Sequence, residues 1–155
     1  MRPVFPALAV VLLAGVLAGC SGPAPIDEAA LHRWEVRERA SDEDTLLFAR
    51  VDAGGDAPTN IAKPQVSTTF PSPTRVRSVE LACFGDARIE GVLTIRAGST
   101  TRSVGLPSPI SCAGGRSRFD LSSSERSGVE MIGFAGFHST RETAWTLHVR
   151  TDLDS

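Results

Sequence analysis

The later part of the chain alternates between apolar and polar residues with a period of two. Trp145, Leu147 and Val149 fall on one side of that alternation, and Thr146, His148 and Arg150 on the other. Such a period marks a strand, whose successive side chains leave opposite faces of a sheet. Val79, Leu81 and Cys83 share a face in the same way, as do Ile89, Leu93 and Ile95, and Phe119 with Leu121. Residues 45–52, 65–70, 101–106 and 129–137 are further runs of strand length. Turn-forming clusters punctuate them, among them Gly54-Gly55-Asp56, Pro71-Ser72-Pro73, Gly85-Asp86, Gly98-Ser99, Pro107-Ser108-Pro109 and Ser122-Ser123-Ser124. About eight short strands without intervening helices predict a mainly β fold, an antiparallel β-sandwich or jelly roll over residues 44–155.

Two earlier segments break the pattern. Ile26 to Ser41 reads as a short helix that opens on acidic residues, carries Arg33, Arg37 and Arg39 later, and sets Ala30, Leu31 and Trp34 on one side. Its Arg33–Arg39 stretch also alternates as a strand would, so a strand is the rival reading. The other segment, Ala7 to Ala18, is an unbroken run of twelve apolar and small residues behind Met1-Arg2. As a helix it spans about 18 Å, short of the roughly 30 Å hydrocarbon core of a bilayer. That length suits a cleaved signal helix and not a permanent span.

The apolar run ends in Leu17-Ala18-Gly19-Cys20. This resembles the lipobox of bacterial lipoproteins, in which the cysteine is lipidated and becomes the new N-terminus. The resemblance implies a signal peptide over residues 1–19, a lipid-anchored tether with the helix over 20–43, and a location on the extracytoplasmic side of the cell membrane. Its alternative is an ordinary signal peptide with an incidental cysteine. Two acyl chains such as palmitate on Cys20 hold stably, whereas one holds marginally. With Cys20 taken by lipid, Cys83 and Cys112 remain for a disulfide bond in a compartment where such bonds persist; two free thiols are the alternative. The β-rich part also resembles small lipoproteins of high-GC Gram-positive bacteria. The likeness lies in Cys83 behind Val79-Glu80-Leu81, the Gly85-Asp86 turn, Cys112 and the closing strand at Trp145–Val149. It implies location and fold, and no activity.

Charge and candidate chemistry narrow the reading. Sixteen Lys+Arg against 18 Asp+Glu give a net charge of −2, without the strongly basic character of a nucleic-acid partner. His32, His138 and His148 lack metal-ligand spacing, so neither metal nor cofactor is expected, and His148 is expected exposed on the outer face of the last strand. No G-x-S-x-G or S-x-x-K occurs, and no enzyme activity is expected. The alternative is a small envelope hydrolase with a site assembled from distant Ser, His and Asp residues. Asp52, Asp56 and Asn60 read as a hairpin turn and not as a calcium loop. Trp145 is expected in the core, which leaves Trp34 as the spare indole for stacking on a sugar, since the chain has no tyrosine. Phe134 and Phe137 read as core, or else as the lining of a small apolar pocket. The sum is a lipid-anchored cell-surface binding or interaction module, with an envelope protein or glycan as its partner.

Overall fold

The computed structural model describes residues 25–40, 45–57, 59–60, 63–106 and 108–152. The lipobox and Cys20 lie outside the described residues. Helix α1 (Glu28–Arg39) precedes strands β1 (Thr45–Val51), β2 (Val66–Thr74), β3 (Val76–Cys83), β4 (Arg88–Ala97) and β5 (Thr100–Gly105). There follow β6 (Ile110–Ser111), β7 (Ser117–Arg118), the one-turn helix α2 (Ser123–Arg126), β8 (Val129–Phe137) and β9 (Thr143–Thr151). One sheet has the order β1-β9-β3-β7; the other has β2-β8-β4-β5, with β6 also on β4.

The expected sandwich is present, and the pairing explains its winding. β1 pairs with β9, β2 with β8, β3 with β7 and β4 with β5, all antiparallel. These pairs nest like the rungs of one long hairpin, doubled at Gly98-Ser99 and wrapped so that its strands divide between two sheets. That is a jelly roll. At the tip, Ala97 pairs with Thr100, and Gly98 takes a φ of 56°, the positive value a two-residue turn needs in its first position.

The cysteines form a covalent rung of this ribbon. Cys83 ends β3, Cys112 opens the 3₁₀ turn after β6, and the two are joined with their Cα atoms 4.8 Å apart. Inside the sandwich, Trp145, Leu147 and Val149 meet Phe134, Ile132 and Leu93. Trp145 is fully buried, as expected, and packs edge-to-face on Phe134 at 4.8 Å. The opposed pair Gly91 and Gly136 makes room for these rings: a Cβ on Gly91 would overlap the Phe134 ring.

Several local expectations are corrected. The Pro71-Ser72-Pro73 cluster is not a turn. It lies within β2, a strand at the edge of its sheet, where the register shifts between Thr69 and Thr74. Proline is tolerated there because an edge strand has a row of N–H groups that need no partner. Residues 51–60 are not a hairpin turn either, because β1 and β2 belong to different sheets and the segment crosses between them. Phe119 and Leu121 do face the core, but the ladder they were expected to join is only Ser117–Arg118 long.

The helix reading of the early segment holds over Glu28–Arg39. Asp27 caps it, its carboxylate accepting from the Ala30 N–H at 2.9 Å. Leu31 and Trp34 are buried with Ala82 and Ala144 on the outer face of the first sheet, beside Phe48 and Phe84. Trp34 is therefore not a spare indole for sugar; its ring centroid lies 5.9 Å from that of Phe84 and 6.4 Å from that of Phe48. His148 is not exposed. It is 1% exposed, and its Nε2 sits 2.7 Å from Glu38 Oε2 of α1. The reason is that α1 covers the face on which His148 alternates, so β9 is buried on both sides.

Candidate functional site

The outer face of the second sheet carries an open, mostly apolar concavity. Along β4, Ile89, Leu93 and Ile95 point into the core, which turns Glu90, Val92 and Thr94 outward. Across from them on β8 stand Phe137, Ala135 and Gly133. Pro64 lies over Gly133, where a Cβ would meet its Cγ at 2.5 Å, so that end of the face is covered. The other end is open.

Its shape follows from an interruption in pairing. The β5 ladder along β4 stops at Val92 with Gly105, and β6 resumes it at Ile89 with Ile110. Between them the chain leaves the sheet after Leu106, whose N–H still donates to the Gly91 carbonyl at 3.2 Å. Leu106, Ser108 and Pro109 thereby form one wall, Phe137 and Glu90 the other, and Val92 lies between, around a depression of about 440 Å³. An apolar concavity with a few polar groups at its rim has the usual makeup of a small-ligand site.

The lining residues Glu90 and Phe137 are both in contact with His138. Its φ of 48° makes it the one non-glycine among the described residues in the left-handed region. Such a conformation is held only where neighbours over-determine it, and here they do. The His138 N–H donates to the Gly55 carbonyl at 2.6 Å, Gly54 N–H to Ser139 O at 2.7 Å, and Thr140 N–H to Arg88 O at 3.0 Å. Arg88 N–H returns a bond to Thr140 Oγ1 at 2.9 Å. His138 Nδ1 lies 3.2 Å from Glu90 Oε2, and the ring stands edge-to-face on Phe137 at 5.1 Å. An ionised carboxylate only accepts, so the ring donates through Nδ1–H and its Nε2 is left as an acceptor in the neutral form. Phe137, His138 and Glu90 thus present an aromatic ring, an acceptor and a carboxylate on one braced corner.

Among the described residues no hydroxyl or thiol is hydrogen-bonded to His138; the nearby Ser139 is buried and donates to Arg141 O at 2.6 Å. His148 faces Glu38. No group of three or more His, Cys, Asp or Glu side chains able to hold a metal occurs among the described residues.

Of the residues singled out in the sequence, Cys83 and Cys112 come together and His138 and Phe137 meet at the depression, while Phe134 belongs to the core. His32 is exposed on α1. Ser122 does mark a turn, and it also caps α2 through Glu125, whose carboxyl is held below its ordinary range by the Ser122 hydroxyl and N–H. Glu90, Leu106 and Pro109 were not foreseen, because a break in strand pairing leaves no signature in side-chain periodicity. The chain matches no known family model, and neither curated proteins nor solved structures show a match to it.

Proposed function

We propose that this chain is a lipid-anchored binding module on the extracytoplasmic face of a cell membrane, and that the depression beside Phe137 takes a glycan segment. The anchored part of the reading rests on Leu17-Ala18-Gly19-Cys20 behind a run too short to span a bilayer. The binding part is carried by the Phe137–His138–Glu90 corner. A sugar ring has apolar C–H faces and a hydroxyl edge. Phe137, Pro109 and Leu106 suit the first, while the Glu90 carboxylate and His138 Nε2 suit the second.

Two measurements test this. Intact mass of the protein from a lipoprotein-processing bacterial cell is expected to show residues 1–19 removed and a diacylglyceryl group on Cys20; an unmodified Cys20 sinks the anchor. Titration of the protein against a panel of envelope glycans is expected to give a ligand whose affinity falls at least about thirtyfold in Phe137→Ala. That corresponds to the roughly 2 kcal/mol lost when a central aromatic anchor is truncated. Phe137 is only half-buried, so the fold is expected to survive the change. Unchanged affinity in a folded Phe137→Ala protein rejects the site.

A further inference from the structure

Helix α1 sorts its charges by direction. Its three carboxylates are turned toward the sheet or its flanks. Glu28 is held by both Arg50 guanidinium nitrogens at 2.7 and 2.9 Å, and that bond keeps its carboxyl below the usual range. Glu38 reaches Arg116 at 3.1 Å and His148 at 2.7 Å, and Glu35 is half-buried on the side whose field acts on Arg50. The opposite face carries Ala29, His32, Arg33, Val36 and Arg37, all exposed. Neither Arg33 nor Arg37 has an ion-pair partner among the described residues, and Arg39 lies over the Phe48 ring at 4.9 Å. Between these cations sits Val36, 53% exposed and the one large apolar side chain among the described residues that faces water.

We propose that this outward face of α1 rests on the anionic headgroups of the membrane to which Cys20 anchors the chain. The proposal builds on the anchored reading above. Seven residues lie between Cys20 and Glu28, eight steps or at most about 28 Å of extended chain, so the helix cannot leave the neighbourhood of the bilayer while it stays docked on its sheet. A basic helical face with a central apolar residue lies in the plane of an anionic interface, its cations among the phosphates and its apolar side chain dipping beneath them. The sign that matters is that of the face and not of the chain, whose net charge is −2. Because α1 covers the outer face of one sheet and the depression opens on the outer face of the other, this contact turns the depression away from the membrane.

The test uses full-length lipidated protein on vesicles of phosphatidylcholine, alone or mixed with phosphatidylglycerol. With Cys20 lipidated and Cys83 bonded to Cys112, V36C offers a unique thiol for a polarity-sensitive dye; S108C, on the far face, is the control. On the mixed vesicles the dye at position 36 is expected to shift to the blue and to resist aqueous quencher. The effect disappears near 1 M salt, where screening reaches about 3 Å. Arg33→Gln with Arg37→Gln should lower the ratio of surface-seated to unseated helix about 25-fold, near fivefold for each arginine at an anionic surface. A dye at position 36 that stays water-exposed on protein-bearing mixed vesicles, or shifts equally on phosphatidylcholine alone, overturns the proposal and leaves the anchor standing. Flotation only with the anionic vesicles overturns the anchor and supports the face; flotation with neither overturns both. Protection of the dye by soluble polyglutamate but not by anionic vesicles overturns the membrane in favour of an acidic protein partner.

Discussion

Breaking the Cys83–Cys112 bond is expected to lower the melting temperature by roughly 10–20 °C, the equivalent of about 3.6 kcal/mol for a domain of this size. The value follows from the 29-residue separation of the two cysteines, whose crosslink removes that loop's closure entropy from the unfolded chain. Against a total stability of about 5–15 kcal/mol the loss is large. Both sulfurs belong to the buried core cluster, so replacing the pair by serine should cost more than replacing it by alanine, because the hydroxyls would lose water without gaining partners. Calorimetry with and without reductant, alongside a thiol count in denatured, unreduced protein, checks the prediction. Identical melting curves, or two reactive thiols before reduction, would show that no such staple exists.

The second large effect is expected from Trp34→Ala. The helix is joined to the sandwich by two buried apolar side chains, Leu31 and Trp34, with ion pairs toward both ends. Truncating a buried tryptophan removes about 3–5 kcal/mol. A twelve-residue helix without tertiary packing is marginal in water, so undocking and melting should coincide. Circular dichroism is then expected to lose its helical contribution while the near-ultraviolet signal of Trp145, fully buried between the sheets, persists. His148 would become open to solvent in the same event, visible as faster exchange of its ring proton. Loss of both signals together would mean that α1 and the sandwich form one cooperative unit.

Alternation was a reliable guide where one face of a strand meets the core and the strand is long. β3, β4 and β9 were legible on that account, β8 only as a run of strand length, and Cys83 and Cys112 are bonded as expected. The same rule failed on β9's second face. Thr146 and His148 are polar enough to look solvated, yet α1 lies over them, and no local pattern records which surface a distant helix will choose. Strand propensity failed differently in β2, where two prolines imitate a turn although an edge ladder accommodates them. The two-residue ladders of β6 and β7 are too short to show a period at all. As for the site, Phe137 and His138 could be named as candidates, but their meeting with Glu90 and Pro109 depends on where β5 stops and β6 resumes. That is a property of the wrapped ribbon and not of any segment.

The nested ribbon also decides how the molecule would behave under tension. A pull on the chain ahead of β1 enters the sandwich at Thr45, the outer end of the ribbon, and would peel rungs inward from β1 and β9. Peeling halts at the sulfur–sulfur rung. The chain released by then runs from Thr45 to Cys83, at most about 130 Å when drawn straight. Glu90, Val92, Leu106 and Pro109 lie within the segment that this rung closes, so one wall of the depression stays covalently looped after the outer strands have come apart, whereas Phe137 on β8 lies outside it. The bond thus acts as an extension stop, a leash of fixed length ahead of the closed loop.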